Sequence, residues 1–218
     1  LFVVFIINSI YFFFNSYIRS FSSWTLSQAV FLLISLLAAC ASDPDSRHQL
    51  HFLAQKLGTD QIKTASIRAA DIDQDGMMDL LMSQGDNLEY GHGWPQPYHG
   101  VIWLRNQGNW KFEGEQIGHL GGAYGTAATD VDGDGDIDVV IVSMSNDYAN
   151  PRNPSIIWLE NDGNKFKRQH LIDTKPTELI AVGCGDVNGD GKIDIVAGQF
   201  RIPLSVVEDQ PLTIWIKE

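Results

Sequence analysis

Residues 130–142, DVDGDGDIDVVIV, contain the stretch that decides the fold of this chain. Its first nine residues follow the pattern D-x-[DN]-x-D-G-x-x-D, which recurs as DIDQDGMMD at residues 71–79 and as DVNGDGKID at residues 186–194. Oxygen-bearing side chains at positions 1, 3, 5 and 9 can point inward when the chain wraps around a hard cation, and the Gly at position 6 permits the sharp turn. The copies begin 59 and then 56 residues apart, so the pattern also indicates a structural repeat.

Short apolar segments surround each acidic stretch. Small residues precede it, as in TAAT at residues 126–129, and an apolar run follows it, as in VVIV at residues 139–142. Runs this short, rich in β-branched residues and apolar at successive positions, predict strands that are buried on both faces.

A third and a fourth strand complete the predicted repeat. After a loop of variable length, the third strand carries Trp103, Trp158 or Trp215 in register, and we expect these rings to pack between repeats. A Gly- and Asn-rich turn follows in the first two copies, and a fourth strand begins at Phe112 or Phe166. Four antiparallel strands in ~57 residues match one blade of a β-propeller. The predicted fold is therefore all-β, with three four-stranded antiparallel blades that form part of a larger propeller.

These motifs resemble the FG-GAP/VCBS repeat family, whose blades also occur in the integrin α-chain propeller, over residues 50–218. The resemblance implies a structural Ca²⁺ in the loop between the first and second strands of each blade, about three ions in all. The backbone carbonyls of Met77, Asp136 and Lys192 would complete each set of ligands. The implied side-chain ligands are Asp71, Asp73, Asp75 and Asp79; Asp130, Asp132, Asp134 and Asp138; and Asp186, Asn188, Asp190 and Asp194.

Other readings of the acidic loops fit less well. An EF-hand requires a Glu at position 12 and flanking helices, whereas position 12 here is Met82, Ile141 or Ala197. The third copy resembles a dockerin loop locally, but dockerin loops are closer together and lead into helices. Acidic turns without a metal would leave several carboxylates repelling one another.

The N-terminal segment predicts export. Residues 1–39 contain no Asp, Glu or Lys, and the apolar run at residues 29–39 has the length of a signal peptide. It ends in LAAC, which resembles the bacterial lipobox, so we expect Cys40 to be lipid-modified and residues 40–50 to form a linker. An ordinary signal-peptidase site is the alternative. Residues 1–18 have three possible explanations: a translation start assigned upstream of the true one, the edge of the available sequence, or a further membrane segment.

Charge and cysteine content exclude other classes. The formal net charge is −12, and all 27 acidic residues follow residue 40, which argues against nucleic-acid binding. The two cysteines differ in context, so we predict no disulfide framework, and Cys184 lies in a small-residue strand where we expect inert packing.

Loops of variable length indicate where a partner binds. In an antiparallel blade, the connection between the second and third strands lies opposite the acidic loops, roughly at residues 83–100, 143–155 and 198–211. Variable loops on a rigid scaffold are typical of recognition. The first of these loops suggests contacts to a protein or a glycan through Tyr90, His92, Trp94, Tyr98 and His99. Alternatively, these rings simply cover the blade edge.

The sequence therefore predicts an exported, lipid-anchored, Ca²⁺-binding β-propeller module of the bacterial cell envelope that binds a protein or glycan. No set of catalytic residues is recognisable, so we predict no enzyme activity. One alternative is that the chain is the propeller part of an enzyme acting on polysaccharide or another envelope substrate. Another is that it is a scaffold that binds nothing. Residues 51–58 resemble a fourth strand, and three blades are fewer than a propeller needs. We expect further blades beyond Glu218, or alternatively a dimer of three-blade halves.

Overall fold

The computed structural model describes residues 53–57, 64–85, 95–200 and 210–218. The chain divides into two units, Leu1–Lys56 and Leu57–Glu218, and all of the secondary structure that can be described belongs to the second. Among the described residues, no helix is long and apolar enough to cross a membrane. The strands are β1 (Ser66–Ala70), β2 (Asp79–Gln84), β3 (Gly100–Asn106), β4 (Phe112–His119), β5 (Ala123–Thr129), β6 (Asp138–Ser143), β7 (Ile156–Asn161), β8 (Phe166–Asp173), β9 (Leu179–Gly185), β10 (Asp194–Gln199) and β11 (Leu212–Trp215).

The strands form three antiparallel sheets that have the form of propeller blades. The first sheet has the order β1-β2-β3-β4 and the second β5-β6-β7-β8, while the third contains β9, β10 and β11 in that spatial order. The predicted strand succession is confirmed, and β4 and β8 begin at the predicted residues, Phe112 and Phe166. The third sheet has three strands in the described part of the chain, where the first two have four.

The middle sheet lies between two apolar cores, and β6 contributes to both. Val139 and Ile141 belong to the first core, which β6 shares with the first sheet. Val140 and Val142 point the other way, into the second core, which contains residues of β9 and β10. Because successive side chains of a strand point to opposite faces, an uninterrupted apolar run is what burial on both sides requires. The predicted burial of this strand is therefore confirmed.

Two of the three tryptophans pack as the repeat predicts. Trp103 is buried in the first core, and its ring meets Phe166 of the second sheet edge to face at 5.9 Å. Trp158 packs against the second core. Trp103 pairs with Leu81 and Trp158 with Val140, the second residue after the position-9 aspartate in each blade.

Trp215 does not occupy the equivalent position, and its predicted register is wrong. It pairs with Ile195, the first residue after Asp194, whereas Ile214 pairs with Val196 and takes the place of the other two tryptophans. A shift of one residue moves a side chain to the other face of its sheet. Trp215 therefore points back towards the second sheet, where it packs against the second core and its indole N–H donates to Asp173 Oδ2 at 3.1 Å.

The strand predicted at residues 51–58 is not confirmed. Residues 53–57 are exposed and belong to no strand, while residues 51, 52 and 58 lie outside the described part. The segment resembles β4 in its residues, but a strand also requires a neighbour whose backbone groups accept and donate the ladder hydrogen bonds. No described strand pairs with residues 53–57.

The turn between β3 and β4 holds a bulky residue in a left-handed conformation. Trp110 has φ of +61° and a side chain that is 70% exposed. Its neighbours Gly108 and Asn109 also have positive φ, 73° and 51°, which these residue types tolerate better. The turn is one residue longer than the equivalent turn between β7 and β8, so Trp110 is an addition in the first blade.

We expect Trp110→Gly to stabilise the protein by about 1 kcal/mol, because a non-glycine residue in the left-handed region costs roughly 1–2 kcal/mol. The midpoint of urea unfolding would measure the gain. Asn109→Gly is the matched control and should change the midpoint less, since Asn tolerates this conformation. A midpoint that falls in Trp110→Gly would show that the indole contributes packing that outweighs the strain.

Candidate metal centres

The aspartate at position 1 organises each acidic loop. Asp130 accepts the Gly133 amide at Oδ1 (2.7 Å) and the Gly135 amide at Oδ2 (3.0 Å). In the third loop Asp186 accepts from Gly189 at 2.6 Å and Gly191 at 2.9 Å. The glycine at position 6 has positive φ in all three loops, between 84° and 101°, as the sharp turn requires. The chain therefore curls around the position-1 carboxylate.

Carboxylates converge in the first two loops. Asp71, Asp73 and Asp75 each offer an oxygen, and these atoms lie within 4.8 Å of one another. Asp130, Asp132 and Asp138 do the same in the second loop. The first cluster leaves two buried oxygens, Asp71 Oδ1 and Asp73 Oδ1, without a hydrogen-bond partner. Buried oxygens are normally satisfied, so these two fit the ligands of a cation.

The third loop is arranged differently. Asn188 accepts the Asp190 amide at 2.8 Å, and its own amide donates to Asp190 Oδ2 at 3.0 Å. The Lys192 backbone amide also donates to Asp190 at 2.9 Å, and this bond is the main reason that the pKa of Asp190 is lowered. The side chains at positions 3 and 5 thus satisfy each other in part, and a cation here would have to displace the Asn188 amide from Asp190.

The position-9 aspartates fasten each loop to the third strand of its blade. All three are buried. One oxygen accepts the backbone amide of position 2: that of Ile72 at 3.3 Å, Val131 at 3.0 Å or Val187 at 3.1 Å. The other oxygen accepts an amide at or just after the end of the third strand. These donors are Asn106 at 2.7 Å, Asn161 at 2.8 Å and Lys217 at 3.0 Å.

The acidic pattern predicts position 9 as a metal ligand, but it does not indicate this second, structural role. Trp103 adds a further bond in the first blade, from its indole N–H to Asp79 Oδ2 at 2.9 Å. The sequence does carry one signal of this role, which is an acidic residue directly before an apolar run. A carboxylate at the first residue of a buried strand must accept hydrogen bonds from nearby donors.

Burial and mutual repulsion make the loops unfavourable for negative charge. Burial raises the pKa of Asp73, and the neighbouring carboxylates of Asp79 and Asp75 raise it further. Burial also raises the pKa of Asp138, against the hydrogen bonds that favour its ionised form. A bound cation would stabilise the ionised carboxylates and offset both effects.

The position-7 residues are placed beside the position-5 carboxylates. The backbone amides of Met77, Asp136 and Lys192 donate to Asp75, Asp134 and Asp190 at 2.8, 2.9 and 2.9 Å. The Asp136 side chain has an additional contact, since its Oδ2 accepts the Gly163 amide in the β7–β8 turn at 2.8 Å. This contact gives Asp136 a side-chain role that its backbone carbonyl alone does not explain.

Polar side chains connect the loop-bearing ends of neighbouring sheets. Gln74 of the first loop donates to the carbonyl of Gly135 in the second at 2.6 Å. Lys217, beyond β11, donates through Nζ to the carbonyls of Val131 and Asp132 at 2.8 and 3.3 Å. The acidic loops therefore belong to one continuous face.

Two of the five predicted ligand contacts, Tyr98 and His99, lie at the other end of the first blade. His99 is only 2% exposed, and its Nδ1 accepts the Gly122 amide at 2.9 Å, so it ties the first variable loop to the segment before β5. Tyr98 is 42% exposed and meets the His99 ring edge to face at 5.1 Å. Tyr90, His92 and Trp94 lie outside the described residues.

Cys184 is a partly buried free thiol that packs against the second core. Burial raises its pKa to about 12, so it remains protonated and unreactive at neutral pH. Cys40, the predicted lipidation site, lies outside the described residues.

Stacked antiparallel sheets of three or four strands, each with an acidic loop between its first two strands, define a propeller-type repeat protein. Residues 130–197, from the second acidic loop into β10, match the family model of the FG-GAP-like repeat. These residues therefore carry an FG-GAP-like repeat, and modules built from this repeat are generally non-catalytic. It is also similar to a T-cell immunomodulatory protein homolog of Plasmodium falciparum (isolate 3D7), with 28% identity over 138 residues. That match covers 58% of this chain and 18% of the length of the relative.

Proposed function

We propose that the protein is an exported, lipid-anchored β-propeller module of the cell envelope, stabilised by Ca²⁺, that binds a protein or a glycan through its variable loops. The observation that carries the proposal is the pair of buried, unpartnered oxygens of Asp71 and Asp73 in a loop that also brings Asp75 close. Lipid attachment at Cys40 rests on the LAAC sequence alone.

The chemistry of the loops favours Ca²⁺ over other cations. Ca²⁺ takes six to eight oxygen ligands in flexible geometry, and the loops offer carboxylate, amide and carbonyl oxygens and contain no Cys or His. Its chemical contribution would be positive charge that stabilises the folded loop. Asp71, Asp73, Asp75 and Asp79 would hold the first ion, with the corresponding residues of the other two loops and the position-7 carbonyls around the second and third.

The partner is assigned to the opposite end because the acidic loops already have a structural task. They have the same length, and the first two are bonded to each other. The connections between β2 and β3, β6 and β7, and β10 and β11 differ in sequence, and the first is longer than the other two. A rigid scaffold with variable loops is a typical arrangement for recognition. The exposed ring of Tyr98 lies at this end.

A calcium titration by calorimetry tests the metal assignment. The whole protein should bind about three ions, and Asp71→Asn should lower the stoichiometry by one, because it removes the carboxylate around which the first loop curls. Glu113→Gln, an exposed acid on β4, is the matched control for charge and should leave the stoichiometry unchanged. Equal stoichiometry in Asp71→Asn and in the unaltered protein would refute the assignment of this loop.

Glycan and peptide arrays probed with the Ca²⁺-loaded protein test the partner assignment. Trp94→Ala should weaken the observed binding at least tenfold, as expected for an aromatic anchor in a recognition loop. Trp110→Ala, on the acidic-loop side, controls for the general loss of an exposed indole. Undiminished binding by Trp94→Ala would mean that the rings of the first variable loop only cover the blade edge.

A further inference from the structure

The first acidic loop has a built-in cation. Arg105 on β3 places its Nε 3.4 Å from Asp73 Oδ2, and the Asp73 side chain is only 10% exposed. The guanidinium carbon lies 4.2 Å from the centroid of the Trp103 ring, within the range of a cation–π contact. Of the two Asp73 oxygens, Oδ2 therefore faces Arg105 while the buried Oδ1 has no partner.

The other two loops have no such pair. The sheet registers place Glu160 in the second blade and Ile216 in the third where the first blade has Arg105. Glu160 is itself paired with Arg168 and His170 on β8. Lys217 approaches the second loop, but its ammonium donates to backbone carbonyls. Within the described ranges, Asp73 is the acidic-loop carboxylate that forms an ion pair with a basic side chain.

We infer that Arg105 competes with the cation at the first loop and makes it a weaker Ca²⁺ site than the second loop. The inference rests on the proposed calcium function. A Ca²⁺ ion held by Asp71, Asp73 and Asp75 must either displace the guanidinium from Asp73 or tolerate a positive charge a few ångströms away. Because Arg105 also contacts the face of Trp103, a displaced guanidinium keeps a favourable neighbour, so binding is weakened without being abolished.

The same contact protects the first loop when Ca²⁺ is scarce. The Asp73 side chain is only 10% exposed and lies in a cluster of three carboxylates, and Arg105 supplies part of the positive charge that a metal would give. The first blade therefore depends less on Ca²⁺ for its folding than the second, where a buried position-9 aspartate and its cluster have no ion-pair partner among the described residues.

Calorimetric Ca²⁺ titration of the whole protein and of Arg105→Gln tests the inference. The unaltered protein should bind an ion in the first loop at least tenfold more weakly than in the second, and Asp71→Asn should remove this weak class. Arg105→Gln should strengthen the weak site about tenfold, the order of magnitude for removing a charge near a divalent ion at a partly exposed site. Arg105→Lys, which keeps the charge, should leave the site weak, and Arg168→Gln controls for the change in net charge.

Thermal unfolding gives a second readout that does not depend on the titration. In chelator, Arg105→Gln should melt below the unaltered protein because Asp73 loses its counterion, whereas in saturating Ca²⁺ the difference should shrink or reverse. Equal affinities in the first and second loops, or an affinity unaffected by Arg105→Gln, would overturn the role of Arg105 while leaving the calcium proposal intact. Absence of Ca²⁺ binding at every loop would instead overturn the proposed function, and the Arg105 inference with it.

Discussion

Chelation of Ca²⁺ is expected to lower the melting temperature of this protein by roughly 10–30 °C. An ion that binds only the folded state adds about 2.7 kcal/mol when its free concentration is 100-fold above the dissociation constant, so three sites add up to about 8 kcal/mol. For a chain of this size, 1 kcal/mol corresponds to a shift of roughly 2–4 °C. Scanning calorimetry with excess Ca²⁺ and with excess chelator would measure the difference.

The structural reason is the unfavourable charge that the loops carry without a cation. Two clusters of three carboxylate oxygens each lie within 4.8 Å, and Asp73 and Asp138 have raised pKa values because they are buried. Re-addition of Ca²⁺ should restore the original transition, whereas Mg²⁺ should restore less of it, because Mg²⁺ requires a stricter octahedral arrangement and keeps its waters. Identical transitions in Ca²⁺ and in chelator would rule out the metal assignment.

Asp138→Ala should destabilise the protein by about 3–5 kcal/mol, the range for losing one partner of a buried polar network. The Asp138 side chain is fully buried at 0% exposure. Its two oxygens accept the amides of Val131 at 3.0 Å and Asn161 at 2.8 Å. Both amides would lose their acceptor, at roughly 1–3 kcal/mol each. Denaturant unfolding would measure the loss.

The matched variant is Asp134→Ala, which removes an exposed carboxylate of the same loop that accepts one local amide, that of Asp136 at 2.9 Å. In Ca²⁺ both variants should lose the second metal site. In chelator, Asp134→Ala should cost no more than about 1 kcal/mol, while Asp138→Ala should keep most of its effect because its hydrogen bonds join backbone segments directly. Equal losses in chelator would show that position 9 acts only through the metal.

The strands could be predicted from the sequence because the pattern of apolar residues along each strand matches the faces that are buried. In β6, the continuous apolar run predicted burial on both faces, and Val139 and Val140 do enter different cores. The positive φ of Gly135 follows from the sharp turn that the acidic pattern implies. The FG-GAP resemblance of residues 130–197 could be seen from the same residues.

The site was only partly predictable, because a carboxylate in a sequence shows which atoms are offered but not which donors reach them. Asp138 was predicted as a ligand, yet its bond to the Asn161 amide exists only because β6 and β7 pair in one register. No local pattern in the sequence marks Arg105, since its proximity to Asp73 depends on the fold that brings β3 beside the loop between β1 and β2.

The amino-acid sequence alone thus determined the repeat period, the acidic loops and the strands around them, since these features depend on residues close together in sequence. The tertiary structure decided how the strands align across the variable loops. Trp215 shows the difference: it resembles Trp103 and Trp158 in sequence, but the loop before it does not fix its spacing from Asp194. Backbone pairing placed Ile214 at the shared position and turned Trp215 to the opposite face, because a shift of one residue reverses every side chain of a strand.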